Sequence, residues 1–239
     1  MIFETVYKCK NSNNKVIIPL DPNWKTLGIQ LSGGLDSALL TYLTAKTIKE
    51  NNLPINICLL SNDLGNKPPY FPTIRNVRNK LHEIMLSRFN FNQWTAPYEY
   101  SIPLEESVNP FKLYCSTNHI KALFNIGYID YEFNGITLNP PIDIREQFLY
   151  DDARQVDRDT PDTIYRNYKY CARPLALCDK QGIIELYKEH NLLYDIAPLT
   201  LSCDVNLEHI VDDKVPCGKC WWCDERRWGM VSNGEDPLL

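Results

Sequence analysis

The chain contains no long hydrophobic run: nowhere do the roughly 18 apolar residues of a membrane-spanning helix follow one another. Its first residues, MIFETVYKCK, lack the basic start and apolar stretch of a secretory signal. A soluble, cytoplasmic protein with no membrane partner is the expectation. Positive charge is not in excess either. With 25 Lys and Arg against 30 Asp and Glu, the net charge is −5, which argues against a broad electropositive surface and against nucleic acid as a direct partner. Two familiar phosphate loops are also missing. No glycine loop is followed by Lys and then Ser or Thr, as a Walker A sequence requires, and a dinucleotide fingerprint would need a third glycine beyond the place where Leu35 and Asp36 stand.

What is present is Ser32-Gly33-Gly34-Leu35-Asp36-Ser37, set between two patterned stretches. Leu27, Ile29 and Leu31 alternate as in a strand, and Ala38, Leu39, Leu40, Leu43, Ala45 and Ile48 recur as a helix face. The hexapeptide is therefore a strand-to-helix turn. Gly33 and Gly34 permit positive φ and leave the peptide N–H groups approachable. The first helical turn adds unpaired N–H groups and the positive end of the helix dipole, so phosphate is the expected guest. Ser32 and Ser37 offer hydroxyls, and Asp36 a carboxylate suited to Mg²⁺.

Strand and helix patterns continue to alternate. Lys15–Leu20 reads as an edge strand or hairpin, Ile55–Leu60 as a strand buried on both faces, 74–88 as an amphipathic helix, Gln93–Ile102 as a strand, Cys115–Ile126 as a helix and Phe133–Leu138 as a strand. Arg75, Arg78, Lys80 and His82 read as a solvated helix face, and Cys58 as a small buried hydrophobe. The expected fold class is α/β, a mainly parallel, Rossmann-like sheet with helices on both faces. Residues 1–200 form this domain in the expectation, and 201–239 a small metal-binding tail packed on it. Half of the residues from Asp143 to Asp162 are charged, and the region of about 143–165 is either a lid, with Arg145, Arg154 and Arg158 toward phosphate, or a solvated insertion. Order resumes at Tyr168–Leu177, followed by a helix through Ile183–His190.

Nine cysteines in a reducing compartment do not suggest a disulfide framework. Cys217, Cys220 and Cys223 form two overlapping C-x-x-C units, and Cys203 is far enough upstream to loop back as a fourth ligand. Four sulfurs leave no open coordination position, so structural Zn²⁺ is the first expectation and iron–sulfur ligation the second. His209 lies inside the loop as a spare ligand. Trp221 and Trp222 pack this knuckle onto the sheet or present a partner surface.

The loop S-G-G-L-D-S matches all five fixed positions of the S-G-G-x-D-S signature and so resembles the PP-loop of N-type ATP pyrophosphatases, which share the adenine nucleotide α-hydrolase-like fold. Together with Pro174-Leu175, Lys180, Ser202-Cys203, Cys217-Gly218-Lys219-Cys220, Cys223 and Arg226, it is similar over nearly the full length to the 7-cyano-7-deazaguanine synthase (QueC) family. That resemblance implies ATP held by Ser32, Gly33, Gly34, Leu35, Asp36 and Ser37, adenine near Asp63, Lys180 at phosphate, and zinc on the four cysteines. It also implies adenylation of a small-molecule carboxylate, 7-carboxy-7-deazaguanine, with ammonia turning it into amide and then nitrile. No glutaminase sequence precedes the loop, so free ammonia or a partner supplies nitrogen. Asn139-Pro140-Pro141-Ile142-Asp143 stands where the family carries its deazaguanine-recognition text, so a divergent member acting on another carboxylate or a protein terminus also fits. Lys180 has an alternative as a surface residue starting a helix. The rival functions are a PP-loop RNA-modifying enzyme of thiolation or lysidine type, with Cys115 or Cys171 as its thiol, and a non-catalytic nucleotide- or zinc-binding module. The sequence leaves the oligomeric state open, and a homodimer is compatible with it.

Overall fold

The structure is a computed structural model, and it describes residues 2–63, 70–95, 97–101, 111–148, 170–203 and 216–239. The chain begins with a hairpin, β1 (Phe3–Lys8) and β2 (Lys15–Leu20), in which Phe3 lies opposite Leu20 and Lys8 opposite Lys15. Val16, Ile18 and Leu20 turn inward and are buried. The other edge of β2 is also used: the N–H groups of Lys15 and Ile17 donate to the carbonyls of Leu177 and Pro174 at 3.2 and 3.1 Å. The hairpin thereby becomes a flap tied to the late part of the chain.

Five strands build the main sheet: β3 (Thr26–Gln30), β4 (Asn56–Asp63), β5 (Tyr98–Ser101), β6 (Tyr131–Phe133) and β7 (Cys171–Ala172). Their order is β5-β4-β3-β6-β7 and every pairing is parallel. Parallel neighbours require crossovers, and the helices α1 (Leu35–Glu50), α2 (Tyr70–Phe89) and α3 (Phe111–Asn125) supply them. Leu27, Ile29, Ile57 and Leu59 join the apolar faces of α1 and α2 in the larger core. On the opposite face Cys58 and Leu60 meet Ile120, Leu123 and Ile129. The fold is therefore α/β with helices on both faces. The sheet grows outward from β3 through β4 to β5, then returns to the other side of β3. That reversal falls between β3 and β6.

Two expected strands differ from the sequence pattern. In place of Phe133–Leu138, β6 spans Tyr131–Phe133. Its start is fixed by Asp130, whose carboxylate accepts the N–H groups of Lys25 and Thr26 at 2.7 and 2.8 Å. Its end is fixed by Gly135, which leaves the ladder to cross the first turn of α1. A Cβ on Gly135 would lie 3.0 Å from the Ser37 nitrogen, a tight contact that a larger residue could make only if the turn shifted. The expected strand Gln93–Ile102 is split into a single bridge from Trp94 to Ile57 and the strand β5. Pro97 has no N–H to give the ladder, and the register advances by one between Ile57↔Trp94 and Leu60↔Tyr98.

Among the described residues the remaining elements are α4 (Ile142–Arg145), α5 (Lys180–Glu189), α6 (Leu193–Ile196), a 3-10 turn at Ala197–Leu199 and α7 (Trp221–Ser232). Asp179 caps α5 by accepting the Gly182 N–H at 3.0 Å, and it also accepts Asn14 Nδ2 at 2.8 Å, which joins cap to hairpin. Ile183, Ile184, Leu186 and Tyr187 of α5 then enter the larger core beside α1. Helix α7 packs on α5 at unusually close range. A Cβ on Gly229 would sit 2.7 Å from the Lys180 carbonyl oxygen and 2.8 Å from its Cγ. Of the region 143–165, only α4 and the turn through Phe148 belong to the described residues; Arg154, Arg158 and His209 lie outside them. Among the described residues no helix is long and apolar enough to cross a membrane.

Candidate functional site

The loop Ser32–Ser37 forms the turn from β3 into α1. Gly33 adopts φ +82°, the left-handed region that a side chain would strain. Gly34 caps the helix in an extended conformation at φ −85°, so of the two glycines only Gly33 uses its conformational freedom. The first intrahelical bond runs from the Ala38 N–H to the Gly34 carbonyl at 3.2 Å, which sets the N–H groups of Asp36 and Ser37 before the ladder begins. The two serines brace the turn rather than flank it. Ser37 Oγ donates to the Gly34 carbonyl at 3.2 Å, accepts the Ser32 N–H at 3.1 Å and lies 3.1 Å from Ser32 Oγ. Leu35 contributes backbone only, since its side chain is buried in the core.

Two later segments close on this turn. The Leu201 N–H donates to the Gly33 carbonyl at 2.9 Å, and the Leu35 N–H donates to Ser202 Oγ at 3.4 Å. From α5, Lys180 reaches the first turn of α1 and places Nζ 2.5 and 2.6 Å from the two Asp36 oxygens. Lys180 is 1% exposed, which excludes its alternative as a surface residue. Behind it lies Glu225 of α7, fully buried, with Oε2 at 3.9 Å from the same Nζ. A buried ammonium thus stands between two carboxylates, and charge at this depth survives only when paired. Asp63 ends β4, the strand beside β3, opposite Ser101; its side chain lies outside the described part.

The four cysteines converge as their spacing suggests. The Sγ atoms of Cys203, Cys217, Cys220 and Cys223 all lie within 4.8 Å of one another, with 3.5 Å between Cys220 and Cys223 and 3.9 Å for Cys203–Cys220 and Cys217–Cys223. A tetrahedron of sulfurs about 2.3 Å from one ion has edges of roughly 3.8 Å, so the four fit a single tetrahedral ion. Gly218 at φ +70° makes the tight turn in which the N–H groups of Lys219 and Cys220 point at Cys217 Sγ, at 3.5 and 3.4 Å. Hydrogen bonds from Cys203 and Cys220, together with burial, push the Cys223 thiol far up from its ordinary range. A bound cation reverses that balance by stabilising thiolate. Trp222 packs on the sulfurs, and Trp221 is buried edge-on against Phe148, with ring centroids 4.9 Å apart. The cysteine cluster and the Ser32–Ser37 turn are therefore neighbours. Cys203 follows Ser202 directly, and Glu225 sits two positions after Cys223.

A second polar group lies beside the turn, on the face of the sheet that carries α3. Gln30 ends β3 and donates from Nε2 to Glu132 Oε1 at 2.5 Å. Glu132 pairs in register with Cys171, and Asn134 Nδ2 lies 3.2 Å from Cys171 Sγ. Burial pushes the Glu132 carboxyl up to about 7, although hydrogen bonds from Cys171 and Gln30 and the Arg173 charge pull it down. The folded protein thus holds a proton that the unfolded chain releases near the ordinary value of 4.5. Between those values the native state binds more protons, so this contribution to stability is complete below about pH 4.5 and is lost as pH rises through about 7. The loss amounts to about 3 kcal/mol. In urea titrations, the stability of wild type relative to Glu132→Gln is expected to fall by that amount between pH 4.5 and 8. A difference that stays constant with pH would exclude a proton on Glu132. Glu225, Gln30 and Glu132 are missed by sequence motif, whereas Ser202 is named there only as the neighbour of Cys203; a glutamate inside the text YIDYEF is the one hint of Glu132.

No protein-family model matches the chain, and no curated protein matches it. Fifteen chains among solved structures do. One is the U34-tRNA thiolase NcsA from Methanococcus maripaludis with its [4Fe-4S] cluster, 14% identical, at a TM-score of 0.43, with 70% of this chain aligned. The alignment spans 57% of the length of that structure. Similarity this distant assigns neither activity nor cofactor.

Proposed function

We propose that this protein is an ATP-dependent carbon–nitrogen ligase, which joins AMP to a small carboxylate with release of pyrophosphate and passes the activated acyl group to ammonia. The observation that supports it is the strand-to-helix turn itself, with Gly33 in the left-handed region, the N–H groups of Asp36 and Ser37 ahead of the helical ladder, and a carboxylate and a buried ammonium meeting at the helix start. Such an end attracts phosphate. Asp36 is the residue that would hold Mg²⁺, whose charge would offset that of the phosphates. Lys180, shared with Glu225, can release Asp36 without becoming an unpaired buried cation. Gly135 leaves open the space over Ser37 that any side chain would fill. The chain positions reactants and balances charge, and activation as a mixed anhydride provides the leaving group that a carboxylate lacks.

The acid is 7-carboxy-7-deazaguanine, carried through amide to nitrile, as the sequence resemblance implies. Residues 201–239 form a tail on the 1–200 domain, and sulfurs as close as 3.5 Å favour one Zn²⁺ over a multi-iron cluster, which would hold them further apart. Incubation with ATP, Mg²⁺, ammonium and that acid should yield AMP and the nitrile by mass spectrometry. AMP without nitrile would move the proposal to another acid. Asp36→Asn is expected to lose ATP–pyrophosphate exchange by at least about 100-fold, the range for removal of a charge-stabilising group. Glu225 remains as partner to Lys180, so folding and metal content persist. Retained exchange would remove Asp36 from the chemistry.

A further inference from the structure

In open parallel sheets, ligands bind beyond the carboxyl ends of the strands where the strand order reverses. Here that junction lies between β3 and β6. Gln30 is the last residue of β3, Glu132 the penultimate residue of β6 and Cys171 the first of β7, so three polar side chains line one face of three adjacent strands at this junction. Beside them the same face carries the apolar cluster of Cys58, Leu60, Ile120, Leu123 and Ile129, and the buried Arg173 whose charge acts on Glu132. Glu132 is 3% exposed and Cys171 5%. Burying a carboxyl group and its partners there costs stability, and the packing of the sheet does not require it.

The group has the connectivity of an activated nucleophile: a thiol hydrogen-bonded to a carboxyl that a third side chain holds in place. Asn134 adds an independent sign of a ligand. Its Nδ2 faces Cys171 Sγ, while its Oδ1 is sealed from solvent without a hydrogen-bond partner among the described residues, an acceptor awaiting an N–H. The next residue, Gly135, lies against the Ser37 nitrogen at the start of α1. Thiol and nucleotide turn are thus joined by one short stretch of backbone.

We propose that Cys171 is an acyl-accepting nucleophile, with Glu132 as its base and Gln30 as the residue that positions that base. The proposal rests on the adenylation chemistry above and names the next step. Cys171 Sγ attacks the acyl carbon of the adenylate, the S–C bond forms as the bond from that carbon to the phosphate oxygen breaks, and AMP leaves with the electron pair. The thiol proton passes to Glu132. Ammonia, accepted through one N–H by Asn134 Oδ1, then attacks the thioester; the C–N bond forms and the C–S bond breaks. Glu132 returns its proton to the departing sulfur, takes up the proton that nitrogen sheds, and loses it to water. The amide is released and the thiol restored.

Acetyl-adenylate, a preactivated probe that needs no ATP, tests this on the full chain. Peptide mapping of wild-type protein should find a single acetyl group on Cys171, removable by neutral hydroxylamine. Glu132→Gln, verified as folded by circular dichroism, should slow its appearance by on the order of 100-fold, as loss of a general base does. Cys171→Ser should leave no hydroxylamine-labile acetyl group. Absence of acetyl on Cys171, equal labelling of other cysteines, or an unchanged rate in Glu132→Gln would overturn the proposal. Calorimetry with Mg²⁺-ATP on the same preparation separates the two ideas. Heat without an adduct sinks Cys171 alone, whereas an adduct without heat sinks the nucleotide turn and leaves Cys171 as an acyl acceptor.

Discussion

Lys180→Met is expected to lower the unfolding temperature by about 10 °C and to abolish measurable Mg²⁺-ATP binding. Lys180 is buried, holds both oxygens of Asp36 and neighbours the fully buried Glu225. Methionine fills the space but leaves two carboxylates without their cation. Breaking a buried pair in this way costs about 3–5 kcal/mol, and each kcal/mol is worth roughly 2–4 °C in a chain of this size. Glu225→Gln on top of Lys180→Met should restore part of the lost stability by removing the unpaired charge, without restoring the nucleotide. A melting curve like that of wild type for the methionine variant would show that the ammonium holds nothing together.

Loss of the metal is expected to have the larger effect. Purified protein should contain one zinc ion per chain by elemental analysis; a brown chromophore in anaerobic preparations would identify iron and sulfur instead and favour the RNA-modifying alternative. Cys220→Ser, or exhaustive chelation, should drop the melting transition by well over 10 °C and expose the segment after Thr200 to protease. Zinc held by four thiolates provides about 10–16 kcal/mol in isolated peptides, against about 5–15 kcal/mol for the total stability of a typical domain. The damage should reach the nucleotide turn, because Leu201 and Ser202 bond the backbone of Gly33 and Leu35 immediately before Cys203. Unchanged ATP affinity in metal-free protein would show that the two centres are independent.

The parts legible in the sequence are those whose chemistry is local. The strand-to-helix turn at Ser32–Ser37 announces itself because it is built from consecutive residues, and the convergence of the cysteines does so because three of the four are only three residues apart. Buried strands such as Ile55–Leu60 show as apolar runs. What escaped depends on contacts between distant segments. Nothing near Lys180 reveals that it faces Asp36, 144 residues earlier. Glu132 and Cys171 become partners only once β6 and β7 lie side by side, which is a matter of register rather than motif. β6 ends short of 134–138 for a similar reason: Gly135 lies close over the first turn of α1, a contact that the strand pattern does not reveal.

The clasp of Lys180 and Ser202 on an early turn has a consequence for biosynthesis. A ribosome adding about 5–20 residues per second needs on the order of 10 s to travel from Asp36 to Lys180. During that interval β4 to β7 emerge one after another while Asp36 waits without its cation. The clasp on the early turn is therefore complete only when the cysteine-bearing tail leaves the exit tunnel, and truncated translation products are expected to lack affinity for nucleotide.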